Sequence, residues 1–92
     1  MWFVYILLCS DESYYVGSTS DIERRLTEHQ NQKGSHYLRS RLPVKLCYQE
    51  SLETRDSALK RERQIKGWSR AKKTALIAGD YFRLIRLSKS KD

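Results

Sequence analysis

The stretch from Trp2 to Cys9 constrains this chain's fold more than any other. It is nearly continuous in apolar residues and suits a central strand covered on both faces. It is too short to span a bilayer and carries neither a basic leader nor a small-residue cleavage site. A strand of this kind needs partners at its edges and layers above and below, and 92 residues leave room for one domain with a modest core. Ser10–Ser13 is a polar turn, and Tyr14–Ser18 reads as the returning strand of a hairpin. Gly17 falls late in that strand, where glycine marks a bend or a close backbone approach.

Beyond the hairpin the apolar period changes from strand to helix. A helix is expected to begin near Ser20, because Ser20 and Glu23 have capping-box spacing. Ile22, Leu26 and His29 form its inward stripe, and Gly34 closes the segment. Arg25, three residues after Ile22 and four before His29, flanks the stripe. Arg24 points to solvent, four residues before Glu28, as in a solvated pair. Ser35–Leu42 is a basic loop or short helical turn carrying Tyr37 and closed by Pro43. Val44–Glu50 alternates, with Val44, Leu46 and Tyr48 set against Lys45 and Cys47, and reads as a third strand.

The second half is helical. Over Thr54–Lys66, Ala58, Leu59 and Ile65 are expected to face inward. Glu62 shares that face, since 58, 62 and 65 follow the i, i+4, i+7 rule. An acid inside an apolar stripe is the most conspicuous residue of this half. Gly67 breaks the helix, Ser69 caps a further one over Arg70–Ala78, and Gly79 ends it. Tyr81–Leu87 is either a terminal helix or an extended segment packed on the domain. The expected organisation is a single domain over residues 1–87 with a tail at 88–92. There are no repeats and no linker.

Charge points to the partner. The net charge is +7 with a pI near 9.7, and it is unevenly spread. Residues 1–53 hold six Lys/Arg against seven Asp/Glu, whereas residues 54–92 hold twelve against four. Within residues 30–49, Lys33, Arg39, Arg41 and Lys45 stand without an acid. This distribution suits a polyanion, nucleic acid above all, although a solvated basic surface has the same signature. Aromatic and basic interleaving at Tyr37, Arg39 and Arg41 permits stacking and phosphate contact. Cys9 and Cys47 each end an apolar run without CxxC spacing and read as reduced, buried thiols. The default location is cytoplasmic, away from membranes.

Several residues could serve phosphodiester hydrolysis together. That reaction needs an activated water, neutralised phosphate charge and a stabilised leaving oxygen. Glu62 could hold one Mg²⁺ or Mn²⁺ ion, because Mg²⁺ accepts few carboxylates with waters and substrate oxygens. Arg25 offers a planar fork for phosphate, and His29 could move a proton or hydrogen-bond a phosphate. Tyr5 and Tyr15 offer phenols, although a tyrosine, with an ordinary pKa near 10, is a poor base unless a metal or nearby cation lowers it. Taken singly, each has a plainer reading. The tyrosines could be sheet aromatics, Arg25 and His29 a structural edge, and Glu62 an ion-pair partner of Lys66 one turn on.

The joint pattern resembles the GIY-YIG nuclease family. It runs over about residues 2–78 through Val4-Tyr5-Ile6, Tyr15-Val16-Gly17-Ser18-Thr19, Asp21–Leu26 and His29. It continues through Tyr37–Arg41 with Pro43-Val44, then Ala58–Glu62 and Ile65-Lys66. More narrowly, it resembles the small stand-alone bacterial members. Val4 stands where the family name has glycine, and the only asparagine, Asn31, lies outside the later helical region where many larger members carry one. The resemblance implies an α+β fold with a three-stranded antiparallel sheet flanked by helices. It also implies single-metal nuclease chemistry on DNA rather than RNA, as in DNA repair or recombination. By matched position, Tyr5 and Tyr15 would place or deprotonate the water. Arg25 would bind the scissile phosphate, His29 would assist, and Glu62 would ligate the metal. Lys33, Tyr37, Arg39, Arg41 and Lys66 are expected to contact substrate. The competing reading is a non-catalytic nucleic-acid-binding module on the same fold. A scaffold for an acidic protein stands third.

Overall fold

In the computed structural model, residues 1–33 and 35–89 are described. Three strands, β1 (Trp2–Leu8), β2 (Tyr14–Thr19) and β3 (Lys45–Leu52), form one antiparallel sheet in the order β2-β1-β3. The apolar run thus takes the centre. Its residues Val4 to Leu7 are at most 2% exposed, as a strand covered on both faces must be.

Period-two alternation splits those residues between two cores. Val4 and Ile6 join Val16, Ala58, Ile65 and Leu76 on one face. Tyr5, Leu7 and Cys9 join Leu38 and Val44 on the other, with Tyr15, Ile22 and Leu26 packed alongside. The first face is covered by α2 (Arg55–Lys66) and α3 (Arg70–Ala78), the second by α1 (Ile22–Gln30) and the loop carrying Leu38. The α+β architecture expected from the sequence is therefore present.

Local differences have identifiable causes. The N-cap of α1 is Asp21 rather than Ser20, its carboxylate accepting from the Arg24 amide at 3.0 Å. The helix ends at Gln30, with Asn31 as its C-cap, and Gly34 lies outside the described residues. In β3 the simple alternation fails. The register against β1 shifts between Ile6 and Leu7, opposite Tyr48 and Leu46, so Cys47 is an extra residue. That bulge sends Leu46 to the Tyr5 face and Tyr48 to the Val4 face, where alternation alone would align them. In α2, Leu59 is 38% exposed, because it stands one step round from the Ala58–Glu62–Ile65 stripe.

Side-chain anchors fix the helices to the sheet. Arg61 of α2 forms an ion pair with Glu50 at 3.1 Å, and Glu50 also accepts from the Tyr48 hydroxyl at 2.7 Å. On α3, the Thr74 hydroxyl lies 3.1 Å from that of Tyr14, and Arg70 donates to the Glu12 carbonyl at 2.6 Å. The terminal segment is helical as α4 (Tyr81–Lys89), two residues into the expected tail, and residues 90–92 lie outside the description. Leu84 packs on the core, whereas Tyr81, Phe82 and Ile85 are exposed. Among the described residues no helix is long and apolar enough to cross a membrane.

Candidate active site at the β2 edge

Strand register brings the two motif tyrosines together. Tyr5 pairs with Gly17, and Tyr15, two residues away on the same strand as Gly17, shares its face. The Tyr5 and Tyr15 ring centroids are 6.4 Å apart. Gly17 is required for space rather than for unusual φ. A Cβ at this position would lie 2.5 Å from the Tyr5 hydroxyl and 2.6 Å from its Cζ. The phenol of β1 therefore rests directly over the backbone of β2.

Helix α1 supplies the next two groups. His29 is 1% exposed, and its Nε2 lies 3.0 Å from the Tyr5 hydroxyl. Its ring meets Tyr15 edge-on at 5.6 Å. Burial, assisted by the Arg25 charge, pushes the His29 pKa down, so the ring is neutral at physiological pH. Nδ1 is buried and has no hydrogen-bond partner among the described residues. A bare acceptor is tolerated in a buried site better than an orphaned N–H, which favours the proton on Nε2 and donation to Tyr5.

Arg25 lies beside Tyr5. Burial, reinforced by Tyr15, raises the Tyr5 pKa to about 12, while the Arg25 guanidinium pulls the other way. Burial in turn disfavours the Arg25 cation, but its contacts with Tyr5 and Glu28 outweigh that and raise its pKa. Arg25 is also the partner of Glu28, at 3.3 Å, the role expected of Arg24. Arg24 itself is exposed.

Glu62 reaches the site from the opposite layer. It lies on the Ala58–Ile65 stripe, with its side chain 16% exposed. Its Oε1 accepts from the Ser18 hydroxyl at 2.5 Å, and its Oε2 pairs with Lys66 Nζ at 2.6 Å. Its charge is close enough to oppose ionisation of Tyr5. Because β2 is an edge strand, the site wraps around that edge. Tyr5, Tyr15, Arg25 and His29 stand on one side and Glu62 on the other. Ser18 was absent from the expected set, yet its signal was available. It alternates with Val16 and so faces α2 rather than α1.

The outlying basic residues divide. Tyr37 stacks on Tyr15 with centroids 6.0 Å apart. Arg41 lies 3.8 Å above the Tyr37 ring, pairs with Asp11 at 3.0 Å and donates to the Tyr37 carbonyl at 2.8 Å. Arg41 thus clamps the loop to the hairpin turn. Lys33 and Arg39 are exposed and belong to none of these contacts. Lys66 stands inside the site.

The residues present fit one hard cation. Among the described residues no cluster of three metal-ligating side chains exists. Mg²⁺ nevertheless binds commonly through one or two carboxylates, its remaining positions filled by waters and substrate phosphates. Glu62 could supply such a carboxylate, with the Ser18 hydroxyl beside it.

The sequence matches the GIY-YIG catalytic domain family over residues 1–75. The chain belongs to that family. It is 44% identical over 78 residues to the UPF0213 protein of Natronomonas pharaonis, covering 85% of this chain and 92% of the relative. Identity to the UPF0213 protein of Staphylococcus saprophyticus is 47% over 76 residues, covering 83% and 93%. Two solution NMR structures share the fold. The UPF0213 protein of Bacillus halodurans is 36% identical with a TM-score of 0.55, covering 98% of this chain and all of that one. The protein EF2693 from E. faecalis is 38% identical with a TM-score of 0.59, covering 87% of this chain and 85% of that one. GIY-YIG membership gives this single sheet and its helices a nuclease-like fold. Helix α4 lies beyond the family-matched segment.

Proposed function

We propose that this GIY-YIG protein is a cytoplasmic, divalent-metal-dependent nuclease that hydrolyses phosphodiester bonds in DNA. The reading is carried by one observation: side chains from β1, β2, α1 and α2 converge on a single strand edge with complementary chemistry. Binding alone would not need Glu62, since a carboxylate opposes a polyanion unless a cation stands between them.

Each residue then has a part. Arg25 receives the scissile phosphate through its planar fork. The Tyr5 and Tyr15 phenols orient the attacking water, and His29 holds Tyr5 in place from behind. The Tyr5 phenol, with its pKa near 12, stays protonated in the free protein. Tyr5 would therefore first release its own proton to solvent in the substrate-bound state, where Arg25 and added positive charge favour the phenolate. Only that phenolate would take the proton of the attacking water. Glu62 would hold a Mg²⁺ or Mn²⁺ ion, which supplies charge neutralisation at the leaving oxygen.

The test uses purified protein with labelled linear, nicked, flapped and single-stranded DNA, with and without Mg²⁺. Glu62→Gln is expected to lower cleavage by roughly 10²-fold or more, the scale for losing one charge-stabilising group. Equal cleavage by wild type and Glu62→Ala overturns the metal assignment. Salt-sensitive binding with no cleavage of any substrate makes the protein a nucleic-acid-binding module instead.

A further inference from the structure

A cleft opens beside the tyrosine pair. It has a volume of about 260 Å³ and is lined by Tyr14, Tyr15, Val16, Tyr37, Lys66 and Lys73. Two lysines and three phenols line it, with no carboxylate among the described residues, which suits it to an anion. Lys73 is half-buried there, and burial, together with the neighbouring Arg70, lowers its pKa. An anion seated in the cleft would restore the lost favour for its charge.

Lys66 also lines a separate cleft with Leu59, Glu62 and Arg63. Its ammonium is paired there with Glu62 Oε2 at 2.6 Å, while Ser18 holds Oε1. Both oxygens of the proposed metal ligand are thus engaged in the free protein. The Lys66 side chain is 53% exposed, so its long stem can swing with little packing to lose.

We propose that the Tyr14–Tyr15–Lys73 cleft binds a nucleic-acid phosphate, and that this phosphate draws Lys66 away from Glu62. Lys66 is then a placeholder cation with two stations, the carboxylate and the phosphate. Substrate and divalent metal load cooperatively, each raising the affinity of the other, because a coupling free energy is reciprocal. The inference rests on Glu62 being the metal ligand, as in the proposed function.

Mn²⁺ titration followed by electron paramagnetic resonance reads this without any turnover. The probe is a short single-stranded phosphorothioate oligodeoxynucleotide, with its own Mn²⁺ binding subtracted. Wild type should bind Mn²⁺ about tenfold more tightly with the oligonucleotide present, within the usual range of such couplings. Lys66→Met should bind Mn²⁺ about tenfold more tightly without it and show a much smaller further gain than wild type. Lys73→Met should keep wild-type Mn²⁺ affinity alone but lose the coupling. Lys66→Gln repeats the first variant with a polar side chain, and circular dichroism checks that each variant is folded. If Lys66→Met and Lys66→Gln bind Mn²⁺ like wild type while Glu62→Gln loses binding, the coupling is wrong and the nuclease reading stands. If Glu62→Gln binds Mn²⁺ like wild type, both fail.

Discussion

Replacing Gly17 by alanine tests whether the site is held by backbone contact between β1 and β2. The new methyl would sit 2.5 Å from the Tyr5 hydroxyl, 2.6 Å from Cζ and 3.0 Å from Cε2. Tyr5 is 2% exposed and tied to His29 at 3.0 Å, so its ring has nowhere to retreat. Overpacking a tight core costs about 1–3 kcal/mol. Displacing the ring also forfeits the hydrogen bond to His29, worth about 1 kcal/mol. Against this, alanine is better than glycine in a strand by roughly 0.5–1 kcal/mol. The net expectation is a loss of about 2 kcal/mol, which lowers the melting temperature of a domain this size by roughly 8–16 °C. Urea titration and thermal melts monitored by circular dichroism measure it. In a Tyr5→Leu background the obstacle is gone, and Gly17→Ala should become neutral or slightly stabilising. An equal cost in both backgrounds, or a melting point within about 3 °C of wild type for Gly17→Ala alone, refutes the argument.

Further expectations concern α1 and the loop. His29 has a depressed folded pKa, so the unfolded chain takes up its proton first as pH falls below about 6.5. Stability conferred by the neutral ring is present above that pH and is lost on acidification, with a slope of at most about 1.4 kcal/mol per pH unit. Urea titrations from pH 7.5 to 5.5 should show that loss in wild type and not in His29→Gln. Arg25→Ala should cut metal-dependent cleavage by about 10²-fold or more, whereas Arg24→Ala should stay within about twofold. Steady-state rates on the preferred DNA substrate decide between them. Arg41→Ala should loosen the loop through loss of its contacts with Asp11 and Tyr37, worth about 1–2 kcal/mol together. Hydrogen exchange should rise around residues 36–41 while β1 remains protected.

Patterns that depend on a single element were legible in the sequence. The buried run fixed β1, Ser69 and Gly79 bracketed α3, and the 58/62/65 spacing placed Glu62 on an inward face. The choice of Arg25 over Arg24 rested on one step of helical rotation, and Arg25 is the arginine beside Tyr5. What remained hidden depends on two elements at once. The bulge at Cys47 is set by β1 packing against β3, and local alternation carries no trace of it. The ion pair of Arg41 was hidden too, because Asp11 lies thirty residues away and is brought to it only by the fold. The exposure of Phe82 and Ile85 is likewise invisible to an amphipathic count, which assumes that an apolar face finds a cover.

The seating of Tyr5 over Gly17 has one more consequence. A slip of β1 by one residue against β2 would turn the phenol to the other side of the sheet, away from Arg25 and His29. The site therefore has no half-assembled form. Either the strands are in register and the phenol is delivered, or the central strand has no native core to join. Adaptation to different substrates cannot proceed by loosening this half. It falls to the long side chains of α2 and α3, which can be exchanged without touching the register.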